Sequence, residues 1–308
     1  MKILLLIDKV NWAYHSIAKS LCIFNTEKDI SFDIMPIKGG IDDIKKVYKK
    51  YDLFYVMGFQ TFKKLGFLPS KKTMVGIHSC HSWDNKKTTP THMEYPKPEL
   101  VEYLNSFLRV NAVSFYLYEL FRQTGVKNLY YTPNGVDSNI FVPIEKRNNN
   151  EITIGYSGTK THDWRKGITK FIIPAAKKSR VKINLAMRST GSHISMEEMP
   201  SFYNTLDAYI CASASEGFSL SVLEAASCGV PIISTKITGC LELVKHGENG
   251  LFVDRNIEDI SKAIDIMKDY EFRNFMSKNI RRDVVNYHCW SKKINMWTDF
   301  FKGFKNER

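Results

Sequence analysis

The chain has 308 residues, more than one hydrophobic core comfortably organises, so its length points to two domains of ordinary size. With 44% hydrophobic and 25% charged residues, the composition is that of a folding globular protein and excludes a low-complexity or disordered chain. The formal charge of +12 is spread over both halves and favours anionic ligands: a phosphorylated small molecule, nucleic acid or an anionic membrane face. A solvated lysine-rich surface accounts for the same number equally well.

The first apolar run, Ile3 to Ile7, ends at Asp8 and is too short for a leader core or a membrane span, so a cytoplasmic chain is expected. Cys22, Cys80, Cys211, Cys228, Cys240 and Cys289 show no Cys-x-x-Cys spacing and are expected as free thiols. In chain order, "KILLLID" predicts a strand, Ala13 to Phe24 a helix, and "ISFDIMPI", "YDLFYVMG", "KTMVGIH", "RVNAVSF" and "NLYYTP" further strands with helical segments between them. Such alternation implies βαβ units and a parallel sheet, because parallel neighbours need a crossover. The polar stretch Glu145 to Glu151 lacks an apolar period and is read as the linker. The second half restarts with "EITIGYSG", "VKINLAM", "LDAYICAS", "GVPIIST" and "NGLFVD", then gives three helical stretches, Asn256 to Met267, Glu271 to Tyr287 and Ser291 to Phe304. The expected organisation is an N-terminal Rossmann-like domain over 1–145, a second over 146–285, and a C-terminal helix over 286–308 that returns to the first.

In open parallel sheets, ligands bind beyond the carboxyl ends of strands, where helix N-termini attract phosphate. "YICASASEGFSLSVLEAA" puts Ser213 to Ser219 directly after a strand, Glu216 in the loop and Glu224 about one and a half turns into the next helix. A lone glutamate there would be read as a helix cap or a solvent-facing side chain. The constellation is more specific. Glu216-Gly217-Phe218-Ser219, Leu223-Glu224-Ala225, Gly229-Val230-Pro231 and Gly247-Glu248-Asn249-Gly250-Leu251 resemble the donor-binding core of family-four, GT-B glycosyltransferases. Pro133-Asn134-Gly135-Val136-Asp137, with Phe141 after it, adds to that resemblance, which runs in order along nearly the whole chain.

The resemblance implies an α/β protein of GT-B fold, with two Rossmann-like domains whose parallel sheets face an interdomain cleft. It also implies retaining transfer of a sugar from a nucleotide-sugar donor of the UDP or GDP type, with no metal and no separate cofactor. Glu216 would lie beside the donor sugar and Glu224 would bond the ribose hydroxyls, for which a carboxylate offers two acceptor oxygens. Gly217, Phe218, Ser219 and Leu220 would supply backbone N–H groups to sugar and diphosphate. The family's arginine and Lys-Gly lysine map onto Lys160 and Lys166 in "GTKTHDWRKG", with Arg165 an alternative partner because a lysine lacks the bidentate fork. From the first domain, His78 in "GIHSCHSW" matches the acceptor-side histidine. His78 and His81 also sit at a metal-like spacing, without further ligands near in sequence. Instead of the usual glycine pair the first loop carries Asn11 and Trp12, an acceptor wall or a core tryptophan. The expected acceptor is a cell-surface glycan or lipid-linked sugar at the inner membrane face; the basic aromatic C-terminal helix is read as core packed back on the first domain, with peripheral membrane contact as the alternative. The rival readings are transfer to hydroxylated bases of DNA, which the charge invites, and a nucleotide-sugar-binding partner subunit without catalysis. Few residues separate "VKINLAM" from "SMEEMPSFYNTLD", so an abbreviated base pocket is expected.

Overall fold

The computed structural model describes residues 1–79, 95–144, 151–187 and 194–304. The chain divides into two compact units, one built from residues up to Gly135 together with Trp290 onward, the other from Val136–Cys289. The first unit contains β1 (Lys2–Ile7), α1 (Ala13–Phe24), β2 (Ser31–Pro36), α2 (Ile41–Val47), β3 (Leu53–Val56) and β4 (Thr73–Ile77). It continues with α3 (Pro98–Asn105), β5 (Arg109–Ala112), α4 (Phe115–Gln123) and β6 (Leu129–Tyr131). Its six strands pair in the order β2-β1-β3-β4-β5-β6, parallel throughout. The apolar runs explain the arrangement: Ile3 to Ile7 are wholly buried, as strands covered on both faces must be.

The second unit contains β7 (Thr153–Gly158), α5 (Asp163–Lys166), a π-helical turn over Ile168–Ile172, α6 (Ile173–Ser179), β8 (Lys182–Met187) and α7 (Met199–Asn204). Then come β9 (Ala208–Cys211), α8 (Leu220–Ser227), β10 (Ile232–Ser234), α9 (Thr238–Leu243), β11 (Gly250–Phe252), α10 (Ile257–Ile266) and α11 (Tyr270–Asp283). The sheet is five-stranded, β11-β10-β9-β7-β8, and again parallel. Ile154, Ile168, Ile210, Ile233, Ile264 and Met276 fill its core. Side-chain caps fix the later helices: Asn256 accepts from Asp259 N–H at 2.8 Å, and Asp269 from Phe272 N–H at 3.1 Å.

The division between units falls ten residues before the expected 145/146 boundary, and most of the expected linker, 145–150, lies outside the described residues. Arg281 is the reason residues 136–144 belong to the second unit. Its guanidinium donates to the carbonyls of Ser138, Phe141 and Ser227 at 3.0, 2.8 and 2.7 Å. The second unit also runs on to Cys289 rather than 285, because α11 continues into a π-helical turn, Val284–His288, and Val136 N–H bonds His288 carbonyl at 3.1 Å.

The last helix, α12 (Trp290–Lys302), packs on the first unit. Its aromatic stripe is core: Trp290, Trp297, Phe300 and Phe301 are buried, and Tyr55 of β3 meets the last three rings edge-on at 5.5–5.8 Å. The membrane-facing reading of that stripe is therefore overturned by its burial, and only Phe304 beyond the helix remains exposed. The Pro133-Asn134-Gly135 turn is shaped to this helix. Trp297 Nε1 donates to Pro133 carbonyl at 3.0 Å, and a Cβ on Gly135 would lie 2.7 Å from the Trp290 backbone. Arg109 closes the far end by donating to the Phe300 and Phe301 carbonyls at 3.2 and 2.8 Å, a cation on the negative end of the helix dipole. Cys22, Cys211, Cys228, Cys240 and Cys289 are free thiols, and no helix among the described residues is long and apolar enough to cross a membrane.

Candidate active site

In the second sheet, β7 is flanked by β8 on one side and β9 on the other. The chain winds from β7 out to β8 on one side and from β9 out to β10 on the other, which makes the carboxyl ends of β7 and β9 the switch point of the sheet, the place where open parallel sheets take ligands. The loop after β7 carries Lys160 to Gly167, and the loop after β9 carries Ala212 to Ser219.

These two loops meet on one carboxylate. Glu216 Oε1 is ion-paired with the ammonium of Lys166, lies 3.1 Å from Arg165 Nη1, and accepts from Ser213 Oγ at 2.9 Å. The three charged side chains are only 11–16% exposed. Burial pushes the Glu216 carboxyl up, but the charges of Lys166 and Arg165 and the hydrogen bonds from Lys166 and Ser213 outweigh it and hold it down at about 2. Glu216 is thus a carboxylate at neutral pH, not a proton donor. Two cations against one anion leave the pocket net positive, suited to a ligand that brings negative charge. Thr238 fixes the loop backbone from below, donating to the carbonyls of Glu216 and Gly217.

The cationic turn is held by Gly167, the glycine of the Lys-Gly pair, and by Arg255, which the sequence reading did not single out. Gly167 takes a left-handed φ of +72°, and a Cβ there would sit 2.7 Å from the Phe171 ring and 3.1 Å from Ala212 carbonyl. Arg255 lies with its guanidinium 4.7 Å from the Phe171 ring centre. It donates to Ala212 carbonyl at 2.8 Å, Trp164 carbonyl at 3.0 Å and Arg165 carbonyl at 2.9 Å. Arg255 therefore ties the turn bearing Arg165 and Lys166 to the strand end that leads to Glu216. Nothing local in the sequence announces it: those contacts reach back 43 to 91 residues.

Beyond Glu216, Gly217 to Ser219 lead into α8, whose N-cap Ser219 makes no side-chain cap bond. The first-turn N–H groups have no partner within the helix and form its positive end. Phe218 is 7% exposed and packs on Gly239, where a Cβ would lie 2.8 Å from the ring. It anchors the loop. Glu224 is half-buried on α8, and its Oε2 accepts from the Tyr203 hydroxyl at 2.7 Å. The glutamates thus have different partners: Glu216 two cations and Ser213, Glu224 a buried phenol. Lys160 opens a 3₁₀ turn, Lys160–His162, and its side chain lies outside the described residues. After β8, residues 194–198 lead directly into α7.

His78, Asn11 and Trp12 belong to the first unit. His78 follows β4, with Nε2 3.0 Å from the Tyr55 hydroxyl and its ring 4.8 Å from that of Tyr14. The ring folds back over Gly76, where a Cβ would lie 2.5 Å from Nε2. Burial pushes the imidazole down to about 3, so it is neutral at physiological pH. Asn11 takes a left-handed φ of +59° and its N–H donates to His15 Nδ1 at 2.9 Å, a geometry asparagine tolerates. Trp12 stands at the N-cap of α1 with the Lys9 ammonium 3.0 Å from its ring centre. His81 lies outside the described residues.

Residues 188–283 match the family described as glycosyl transferases group 1. Among curated proteins, a segment is 34% identical over 83 residues to N,N'-diacetylbacillosaminyl-diphospho-undecaprenol alpha-1,3-N-acetylgalactosaminyltransferase of Campylobacter jejuni, covering 26% of this chain and 22% of that protein. The matches to the first curated relatives span 22–28% of those proteins' length. Among solved structures, sucrose-phosphate synthase from Thermosynechococcus elongatus superposes with a TM-score of 0.73 at 14% identity, covering 98% of both chains. HepE from Anabaena, solved with UDP and glucose, gives 0.71 at 15% identity over 98% of this chain and all of that one. These neighbours share one fold, the GT-B pairing of two parallel-sheet α/β domains.

Proposed function

From residues 188–283 that match the group 1 glycosyl transferases and from a GT-B fold, we propose that the chain moves a sugar from a nucleoside-diphosphate donor to an acceptor hydroxyl. The observation that carries this reading is the clamp of Lys166 and Arg165 on ionised Glu216 at the switch point of the second sheet. When the bond from the anomeric carbon to the diphosphate breaks, its electron pair leaves with phosphate oxygen. Lys166, Arg165 and the α8 N-terminus are the fixed positive groups that meet this charge, which is the kind of preorganisation that lowers such barriers. They supply it without a metal.

Glu216, ionised and unable to protonate a leaving group, accepts hydroxyls of the donor sugar and holds the two cations in place. The acceptor oxygen bonds to the anomeric carbon on the face the phosphate leaves and its hydroxyl proton passes to the departing phosphate oxygen, so the configuration is retained, through an oxocarbenium-like transition state. Glu224 takes the ribose hydroxyls. Lys160 serves as a further phosphate contact, and His78, neutral and bonded to Tyr55, is the acceptor-side hydrogen-bonding group; Asn11, Trp12 and His81 are the further acceptor-side residues of this reading. The acceptor is a cell-surface glycan or lipid-linked sugar at the cytoplasmic membrane face. The relative from Campylobacter supports this through its name, which specifies a diphospho-undecaprenol acceptor.

The test is a panel of UDP- and GDP-sugars with a diphospho-undecaprenol-linked sugar as acceptor, wild type beside Lys166→Ala. Transfer from one donor, reduced by about 100-fold or more in the variant with its melting temperature kept within a few degrees, is the expected result. Near-wild-type turnover by the variant would sink the assignment of the clamp. Stabilisation by donors with no hydrolysis or transfer would instead show a binding subunit.

A further inference from the structure

Glu224 does not stand alone on α8. Its Oε2 lies 2.7 Å from the hydroxyl of Tyr203, on α7. A carboxylate only accepts, so the phenol donates. Tyr203 is fully buried, and burial, with the nearby Glu224 charge, holds its hydroxyl well above the usual phenol range, so it remains a donor wherever the chain is folded.

Behind Tyr203 runs a file of hydroxyls through four elements. Ser157 Oγ of β7 is 3.0 Å from the Tyr203 hydroxyl and 3.1 Å from that of Tyr209 on β9. Tyr209 lies 2.9 Å from Ser221 Oγ on α8, which is 3.0 Å from Ser219 Oγ at the helix N-cap. The file begins at the carboxylate and ends at the mouth of α8. Phenylalanine would fill the Tyr203 site equally well as core. A phenol buried there is tolerated only because it is bonded at both ends, and what it adds is direction. It pins one oxygen of a half-buried carboxylate at 2.7 Å.

We propose that Tyr203 is a positioning residue for nucleotide recognition, acting through Glu224. By occupying Oε2, it turns the carboxylate's remaining lone pairs toward the vicinal hydroxyls of a ribose. This rests on the reading that the second unit binds a nucleoside diphosphate. Tyr203→Phe removes one oxygen and leaves Ser157 its bond to Tyr209, so the variant is expected to fold.

The experiment titrates UDP, GDP and their 2′-deoxy forms into the full chain as wild type, Tyr203→Phe, Glu224→Ala and the double variant. Wild type is expected to bind one ribonucleotide at least about tenfold more tightly than its deoxy analogue. Tyr203→Phe should lose about five- to tenfold for the ribonucleotide, the scale of one hydrogen bond to a charged group, and under about twofold for the deoxy form. In the Glu224→Ala background the same change should cost nothing further. Equal loss for ribo and deoxy forms, or a loss that adds to that of Glu224→Ala, overturns the positioning role and leaves the functional reading standing. Failure of wild type to bind either diphosphate overturns the functional reading and this inference with it.

Discussion

Glu216 shows how much chemistry one buried atom can gather: Oε1 faces an ammonium, a guanidinium and a hydroxyl. Its carboxyl falls from an ordinary 4.5 to about 2 on folding, so it binds fewer protons folded than unfolded. The ion pair's contribution to stability is therefore complete above about pH 4.5 and lost as pH falls toward 2. Glu216→Gln, which leaves two buried cations uncompensated, should lower stability at pH 7 by about 3 kcal/mol. Urea midpoints measured against pH should show that gap narrowing below pH 4.5; a gap constant down to pH 2.5 would contradict the clamp. His78 titrates in the same sense over a different window. Pushed down to about 3 in the fold, it should weaken the protein as pH drops from about 6.5, and His78→Gln should flatten that slope.

At the scale of elements, strands and helices were legible because parallel strands buried on both faces read as unbroken apolar runs. The segments "KILLLID" and Ala13 to Phe24 became β1 and α1 almost residue for residue. The pairing of Lys166 with Glu216 was approached through motif resemblance, whereas Arg255, Ser213 and Thr238 carried no signal. Their roles exist only once β7, β9 and α9 are side by side, and hydrogen bonds to backbone carbonyls leave no residue-type pattern. Gly167 offers the test at this scale. Gly167→Ala combines a left-handed φ with a 2.7 Å contact to Phe171, and is expected to cost about 1–3 kcal/mol while displacing Lys166. Transfer should fall more than stability alone explains; unchanged activity would show that the turn's position is not critical.

At the scale of the whole molecule, the compact units do not divide at the polar stretch, because polarity marks exposed chain and not allegiance. Residues 136–144 join the second unit through Arg281, a partner about 140 positions later. The aromatic C-terminal helix was expected on the first domain, and it is the keystone of that unit's core around Tyr55. Trp297, with no exposed surface, should cost about 3–5 kcal/mol as Trp297→Ala. A chain ending at Cys289 should lose the cooperative unfolding transition of the first unit, measured by calorimetry beside the full chain.

That helix also imposes an order on the birth of the protein. β1 leaves the ribosome well before α12, so its sheet lacks one wall until residues 290–302 emerge, whereas the continuous segment Val136–Cys289 is complete sooner. Nascent chains usually settle domain by domain from the N-terminus. Here the later unit has the pieces of Val136–Cys289 before the earlier one has α12, and the apolar strands of the first sheet must wait for that helix to cover them.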